Sequence, residues 1–340
     1  MLDEPPDTVK AADGSRIPLA VFGKHRAWSD HLEDIGLDTP SLGRFKQSFY
    51  SEGIRTNLDT GAWEQLSAEG KTVDWDHQLF MTGPRGMILA RLWASTDGRG
   101  RRSYPMIAAT HLPTSRLPAD LTPLLDALEL AKEQCSSADT QDAVHSAIVS
   151  GKIALEYAVR NLSPMPAEGP PEESRVRFLQ SLGAEPGEIG FRRILHVMLA
   201  DLAAFSKNRK QPDVRPRHFR VPSSPGDRGK GFLMWHTFFQ PHIPEGTPWT
   251  IIAPNDAGWA DVSIGGTDSD FVHLTRLNGE GMPPLSDIPY SLAPEDEALF
   301  GGILSSFSTP PFSVPSLFAT DQPPGAFSSV MGRLFGKGQS

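Results

Sequence analysis

Residues 77–112 read HQLFMTGPRGMILARLWASTDGRGRRSYPMIAATHL, and the way apolar runs alternate here with turn residues decides the fold. HQLFM (77–81) and MILARLWAS (87–95) are runs of strand length joined by TGPRG, whose Gly and Pro suit a hairpin. YPMIAATHL (104–112) follows a second turn, TDGRGRR. The stretch predicts an antiparallel meander of three strands.

Upstream, Ile17 to Phe22 is a short apolar run that reads as a buried strand ending in Gly23. TPSLGRFKQSFYSEGI (39–54) has Thr39 to cap a helix, Pro40 in its first turn, and Leu42, Phe45 and Phe49 on one face. Downstream, 118–162 changes character. ADLTPLLDALELAKEQC and TQDAVHSAIVSGKIALEYAVRNL carry helical apolar spacing, with Asp120 and Thr140 as caps, and predict a helical hairpin.

SPMPAEGPPEES (163–174) breaks that pattern with four prolines and marks a linker at 164–174. A helical block through ESRVRFLQSLG and GEIGFRRILHVMLADLAAFSK follows it. From residue 216 the period shortens: RHFRVP, GFLMWHTFF, WTIIAP, ADVSIGG and FVHLTRL all read as strands. The expected fold is α/β of the α+β type, a mixed and largely antiparallel sheet sandwich with a central helical block. The expected organisation is a flexible lead-in at 1–15, an α/β region with the helical hairpin at 16–163, and the linker at 164–174. Residues 175–304 then hold the helical block and a second β-rich region, and 305–340 form a disordered tail. In that tail Val330, Met331, Leu334 and Phe335 share a helical face, the pattern of a short peptide that folds on a partner.

Composition limits the function. A net charge of −9 opposes general nucleic-acid binding, which needs a surplus of Lys and Arg. Cys135 is the single cysteine, so an internal disulfide and a multi-cysteine zinc cluster are both excluded. The first residues lack the basic start and apolar core of a secretory signal, and no run approaches the roughly 18 apolar residues of a membrane span. Together these predict a cytoplasmic protein with no membrane insertion.

The richest chemistry lies in FGKHRAWSDHLEDIGLDT (22–39). His25, Asp30, His31 and Asp34 are acceptable metal ligands, but no HEXXH motif is present. The Gly-Lys pair lacks the remainder of a phosphate loop, no G-x-S-x-G elbow occurs, and Cys135 with His145 has no mechanistic spacing. Arg99, Arg101 and Arg102 form a dense cationic patch on a turn, suited to an anion or an acidic partner, or else a solvated hairpin tip.

Two passages carry a resemblance. FGKHRAWSDH after a strand resembles the first signature of the TagF-like family of type VI secretion accessory proteins, Gly-Lys-Leu-Pro-x-x-Gly-Asp-Phe, with Phe22, Gly23, Lys24 and Asp30 at matching places. WASTDGRGRRSYPM resembles the second, Ser-x-Asp-x-x-Gly-Arg followed by an aromatic residue and Pro, carried by Ser95, Asp97, Gly100, Arg101, Tyr104 and Pro105. His25 and Arg26 stand where the family has Leu-Pro, Ser29 replaces Gly, His31 replaces Phe, and one extra residue separates Arg101 from Tyr104.

The resemblance implies a mixed α/β sandwich in the bacterial cytoplasm. It also implies a protein that is not an enzyme and needs no cofactor, and that regulates or assists assembly of the secretion machine through protein contacts. The partner it implies is a forkhead-associated scaffold or another secretion component. It makes Gly23, Lys24, Asp30, His31, Ser95, Asp97, Arg99, Arg101, Tyr104 and Pro105 the motif and interaction residues. The alternative from another class is a metal-dependent hydrolase using His25, Asp30 and His31, joined by Asp76 or His77.

Overall fold

The computed structural model describes residues 17–61, 75–101, 104–112, 117–166, 216–223 and 225–265, together with residues 196, 198–203, 205, 206, 294 and 298. Among these residues seven strands form one sheet: β1 (Leu19–Gly23), β2 (Asp76–Gly83), β3 (Gly86–Ala94), β4 (Pro105–Leu112), β5 (Arg217–Pro222), β6 (Trp249–Pro254) and β7 (Trp259–Ile264). Their order is β1-β4-β3-β2-β6-β7-β5, and every neighbouring pair is antiparallel.

The meander expected over 77–112 is β2, β3 and β4, and its first turn closes with Gly83 opposite Gly86. β2 then pairs with β6 on its other edge. Strands from both β-rich regions of the sequence therefore share a single sheet.

Helices cover both faces. On one side α1 (Pro40–Phe45) runs into a π-helical segment (Lys46–Arg55) and a last turn, α2 (Thr56–Asp59). Thr39 caps its start, accepting from the Leu42 amide at 3.1 Å. Phe45, Phe49, Tyr50 and Ile54 recur four and five apart, which suits the wider i→i+5 repeat of a π-helix. They pack on Ala20, Phe22, Leu79, Ala90, Leu92, Ile107 and Ala109.

On the opposite face lie α3 (Thr122–Ser137), α4 (Gln141–Arg160) and α5 (Arg228–Phe239). They bury the alternate residues Val21, Phe80, Leu89, Trp93, Met106 and Ala108. Because both faces are covered, all eight residues of β4 are buried, and each buried Leu or Phe contributes about 1.5–3 kcal/mol. Of the six tryptophans within the described residues, Trp75, Trp93, Trp235 and Trp249 are core residues.

Thr140 caps α4 as expected, accepting from the Ala143 amide at 3.2 Å. Asp120 accepts from the Thr122 amide at 2.8 Å, one residue ahead of the cap position held by Leu121. α4 crosses close to α3 and β1 at Gly151, where a Cβ would come within 2.9 Å of Ala131 Cβ.

One element differs from its sequence reading. GFLMWHTFF (231–239), expected as a strand, lies in α5, because nine of that helix's twelve residues are buried. A run that is apolar on all sides has no period to tell a buried helix from a buried strand. The described residues from 196 to 206 are helical, as expected. The lead-in 1–15, FVHLTRL, ESRVRFLQSLG, the linker beyond residue 166 and the tail 305–340 lie outside the described residues.

Candidate functional site

β1 and β4 meet at the edge of the sheet, and the two signature loops leave from there. Gly23 ends β1 with φ 122°, and a Cβ on it would lie 2.3 Å from the Pro105 carbonyl oxygen, so only glycine fits without strain. The chain then loops out through residues 24–31 and returns, with the Leu32 amide donating to Gly23 O at 2.9 Å. The second loop, Asp97 to Arg101, is closed by Gly100 N–H donating to Asp97 O at 2.9 Å. Gly98 N–H donates to Trp28 O at 2.7 Å, which ties the two loops together.

Asp97 is the centre of the site, and its side chain is fully buried. Its Oδ1 accepts from the amides of Arg99 and Arg101, both at 3.0 Å. Its Oδ2 accepts from Lys24 Nζ at 3.1 Å and Arg101 Nε at 2.6 Å. Four donors fill the roughly four lone-pair positions of a carboxylate. Burial opposes ionisation, but the Arg101 amide, the Lys24 ammonium, the Arg101 guanidinium and the Arg99 amide outweigh it and hold the carboxyl well below its usual range.

Lys24, only 2 % exposed, also lies 3.5 Å from Asp30 Oδ1 and 4.4 Å from the centre of the Tyr104 ring. Arg101 Nη2 donates to Asp30 Oδ1 at 2.9 Å. Two cations thus balance two carboxylates, with one residue of each sign from each loop. This is an internally neutralised latch.

The next residues of the first loop clamp the C-terminal end of α3. His25 Nε2–H donates to Cys135 O at 2.9 Å while its Nδ1 accepts from the Ala27 amide at 3.1 Å. Arg26 donates through Nε to Ala138 O at 3.1 Å and through Nη2 to Ser136 O at 3.0 Å. The Cys135 carbonyl also accepts from the Ala138 amide at 3.2 Å; carbonyls at a helix end lack the i+4 amide of the helix interior, and a cation suits the negative end of the dipole. Burial lowers the His25 pKa and favours the neutral ring. Cys135, whose carbonyl takes part, keeps its thiol protonated, since burial pushes that pKa up to about 11.

On the other side of the latch, the His31 ring meets Tyr104 and Tyr50 edge-on at 5.3 and 6.3 Å. Tyr104 donates to Asp59 of α2, and burial followed by that carboxylate pushes its phenol up to about 12. Pro105 begins β4, buried beneath Gly23, and Ser95 is half-buried between β3 and the second loop. Arg99 is exposed and contributes its amide to Asp97, whereas Arg102 lies outside the described residues.

The structure therefore brings together Gly23, Lys24, Asp30, His31, Asp97, Arg101, Tyr104 and Pro105. The alternative metal set is arranged otherwise. Both His25 ring nitrogens are engaged with the backbone, and among the described residues no group of three His, Cys, Asp or Glu side chains converges to hold a metal. Asp76 and His77 start β2, which β3 and β4 separate from β1. Asp76 is held there by Arg91 and lies 3.7 Å from Lys132.

Sequence reasoning did not reach Tyr50, Asp59 or the α3 carbonyls. Their partners lie well outside any local motif, from His31 for Tyr50 to His25 and Arg26 for the carbonyls, and backbone carbonyls carry no sequence signal.

No family model and no curated protein matches the chain. Among solved structures it is similar to the crystal structure of PA0076 from Pseudomonas aeruginosa PAO1, at 15 % sequence identity and a TM-score of 0.37. That match covers 81 % of this chain and 99 % of the other.

Proposed function

We propose that this chain is a cytoplasmic, non-enzymatic accessory protein of a bacterial type VI secretion or related contractile system, and that it regulates or assists assembly by binding another protein. One observation carries the reading. The two stretches that resemble the TagF-like signatures are 73 residues apart at Lys24 and Asp97, yet they converge on a single buried carboxylate.

The signature residues here spend their charge on one another. Asp97 has no acceptor capacity left for a substrate, and Lys24 is buried against it. Their work is to fix the shape of a rim that exposes Ser29, Asp30, Glu33, Arg99 and Arg101. A rigid rim with polar, charged edges suits recognition of a protein surface. No helix among the described residues is long and apolar enough to cross a membrane, which is compatible with this role.

The test is co-purification of the full chain with the co-expressed components of a type VI apparatus, among them a forkhead-associated scaffold. The expected result is retention of at least one component, weakened by Arg99→Glu with Glu33→Arg while the fold is unchanged. Failure to retain any component would overturn the reading.

A further inference from the structure

α4 carries an apolar stripe that no described residue covers. Val149, Ile153 and Tyr157, four residues apart, are 56, 64 and 72 % exposed. The opposite face of the same helix buries Val144, Ala147, Ile148, Gly151, Leu155 and Ala158. A stripe of this kind on an outer helix face marks a contact surface.

The two ends of the stripe have opposite charge. Asp142 is exposed in the first turn and Arg160 is exposed in the last. They are eighteen residues apart, which at about 3.6 residues per turn is five turns, so both lie on the line running between Val149 and Ile153.

We infer that this face of α4 binds the same face of a second copy of the chain, antiparallel across a two-fold axis. In a two-fold contact each pair of residues occurs twice with the roles exchanged. An axis at the level of Gly151 sets Val149 against Ile153, His145 against Tyr157, and Asp142 against Arg160. The stripe is thus charge-complementary to its own reversed copy. A parallel pairing would oppose Asp142 to Asp142 and Arg160 to Arg160. The antiparallel arrangement also sets each helix dipole against the opposite end of its neighbour. Arg160 already lies 3.3 Å from Glu156 of its own helix and would share its guanidinium between the two carboxylates. A two-helix seam is small beside a standard interface of about 1,600 Å², so the dimer forms in proportion to concentration.

Sedimentation equilibrium of the full chain over a concentration series tests this. The expected result is a monomer–dimer equilibrium that Ile153→Asp abolishes. Asp142→Arg and Arg160→Asp should each weaken it about tenfold, because each turns two attractive contacts repulsive. The double reversal should restore it, since every contact again has one charge of each sign. All three positions carry exposed side chains, and circular dichroism verifies that the variants fold. A monomer at every concentration would overturn the inference. So would a dimer indifferent to these variants, or a double reversal that fails to recover.

Discussion

Two buried carboxylates in this molecule face the same difficulty and meet it differently. Asp97, in the loop after β3, takes two backbone amides, an ammonium and a guanidinium. Asp261, in β7, lies across from Arg220 of β5 and takes both of its bonds from that one guanidinium, each at 2.9 Å. Both side chains are out of solvent. Yet Asp97 is held well below the usual carboxylate range, whereas burial raises Asp261 above it in spite of Arg220.

The difference is backbone supply. A residue in a loop can collect amides that no ladder has claimed, while in the middle of a sheet the amides already bond to neighbouring strands. A single bidentate cation does not offset complete desolvation, even with its guanidinium stacked 3.6 Å over the Trp259 ring. Asp97 is a latch that organises two loops, and the Arg220–Asp261 pair is set between the apolar pairs Phe219–Val262 and Val221–Ala260 of its ladder.

Replacing each pair by apolar residues separates the two cases most strongly. Lys24→Met with Asp97→Leu removes the acceptor for the Arg99 and Arg101 amides, and each amide left unsatisfied costs about 1–3 kcal/mol. Urea unfolding should show a loss of about 3 kcal/mol or more, against little change or a gain of about 1–4 kcal/mol for Arg220→Met with Asp261→Leu. Equal losses in the two variants would erase the distinction.

A smaller effect sharpens it on the backbone side. Gly23→Ala forces a side chain into a left-handed conformation and against the Pro105 carbonyl, which should cost about 1–3 kcal/mol. The same readout would register it. Wild-type stability in Gly23→Ala would mean that the edge where the latch is seated is not fixed by this approach.

Much of the architecture is legible in the sequence because its signals are local. The turn residues at 82–86 give the β2–β3 hairpin, and Thr39 and Thr140 announce helix starts three residues ahead of the amides they accept. Asp97 and Arg101 stand four apart on one turn and are readable as partners. The reading fails where partners are distant or periodicity vanishes. α5 is apolar on nearly every side, so its period is hidden. The meeting of His25 and Arg26 with the end of α3 spans about 110 residues and uses carbonyls, which every residue type carries. Arg220 and Asp261 are paired by strand register, which no short motif encodes. Lys24 looks like half a phosphate loop until the fold buries it beside Asp97.

Titration of the aspartate carboxyl carbons by NMR in the folded protein shows whether Asp97 is a saturated structural latch. Asp97, depressed in the folded state, stabilises the fold above its unfolded value of about 3.9, and this contribution is lost as pH falls through the folded value. Asp261, raised in the folded state, contributes in the opposite sense: it favours folding at low pH and costs stability as pH rises through its folded value. The expected result is an Asp97 midpoint well below about 3.9 and an Asp261 midpoint above it, with the acid loss of stability shallower in Asp97→Asn. An Asp97 carboxyl that titrates at or above the ordinary aspartate value would mean that its four donors do not hold it ionised.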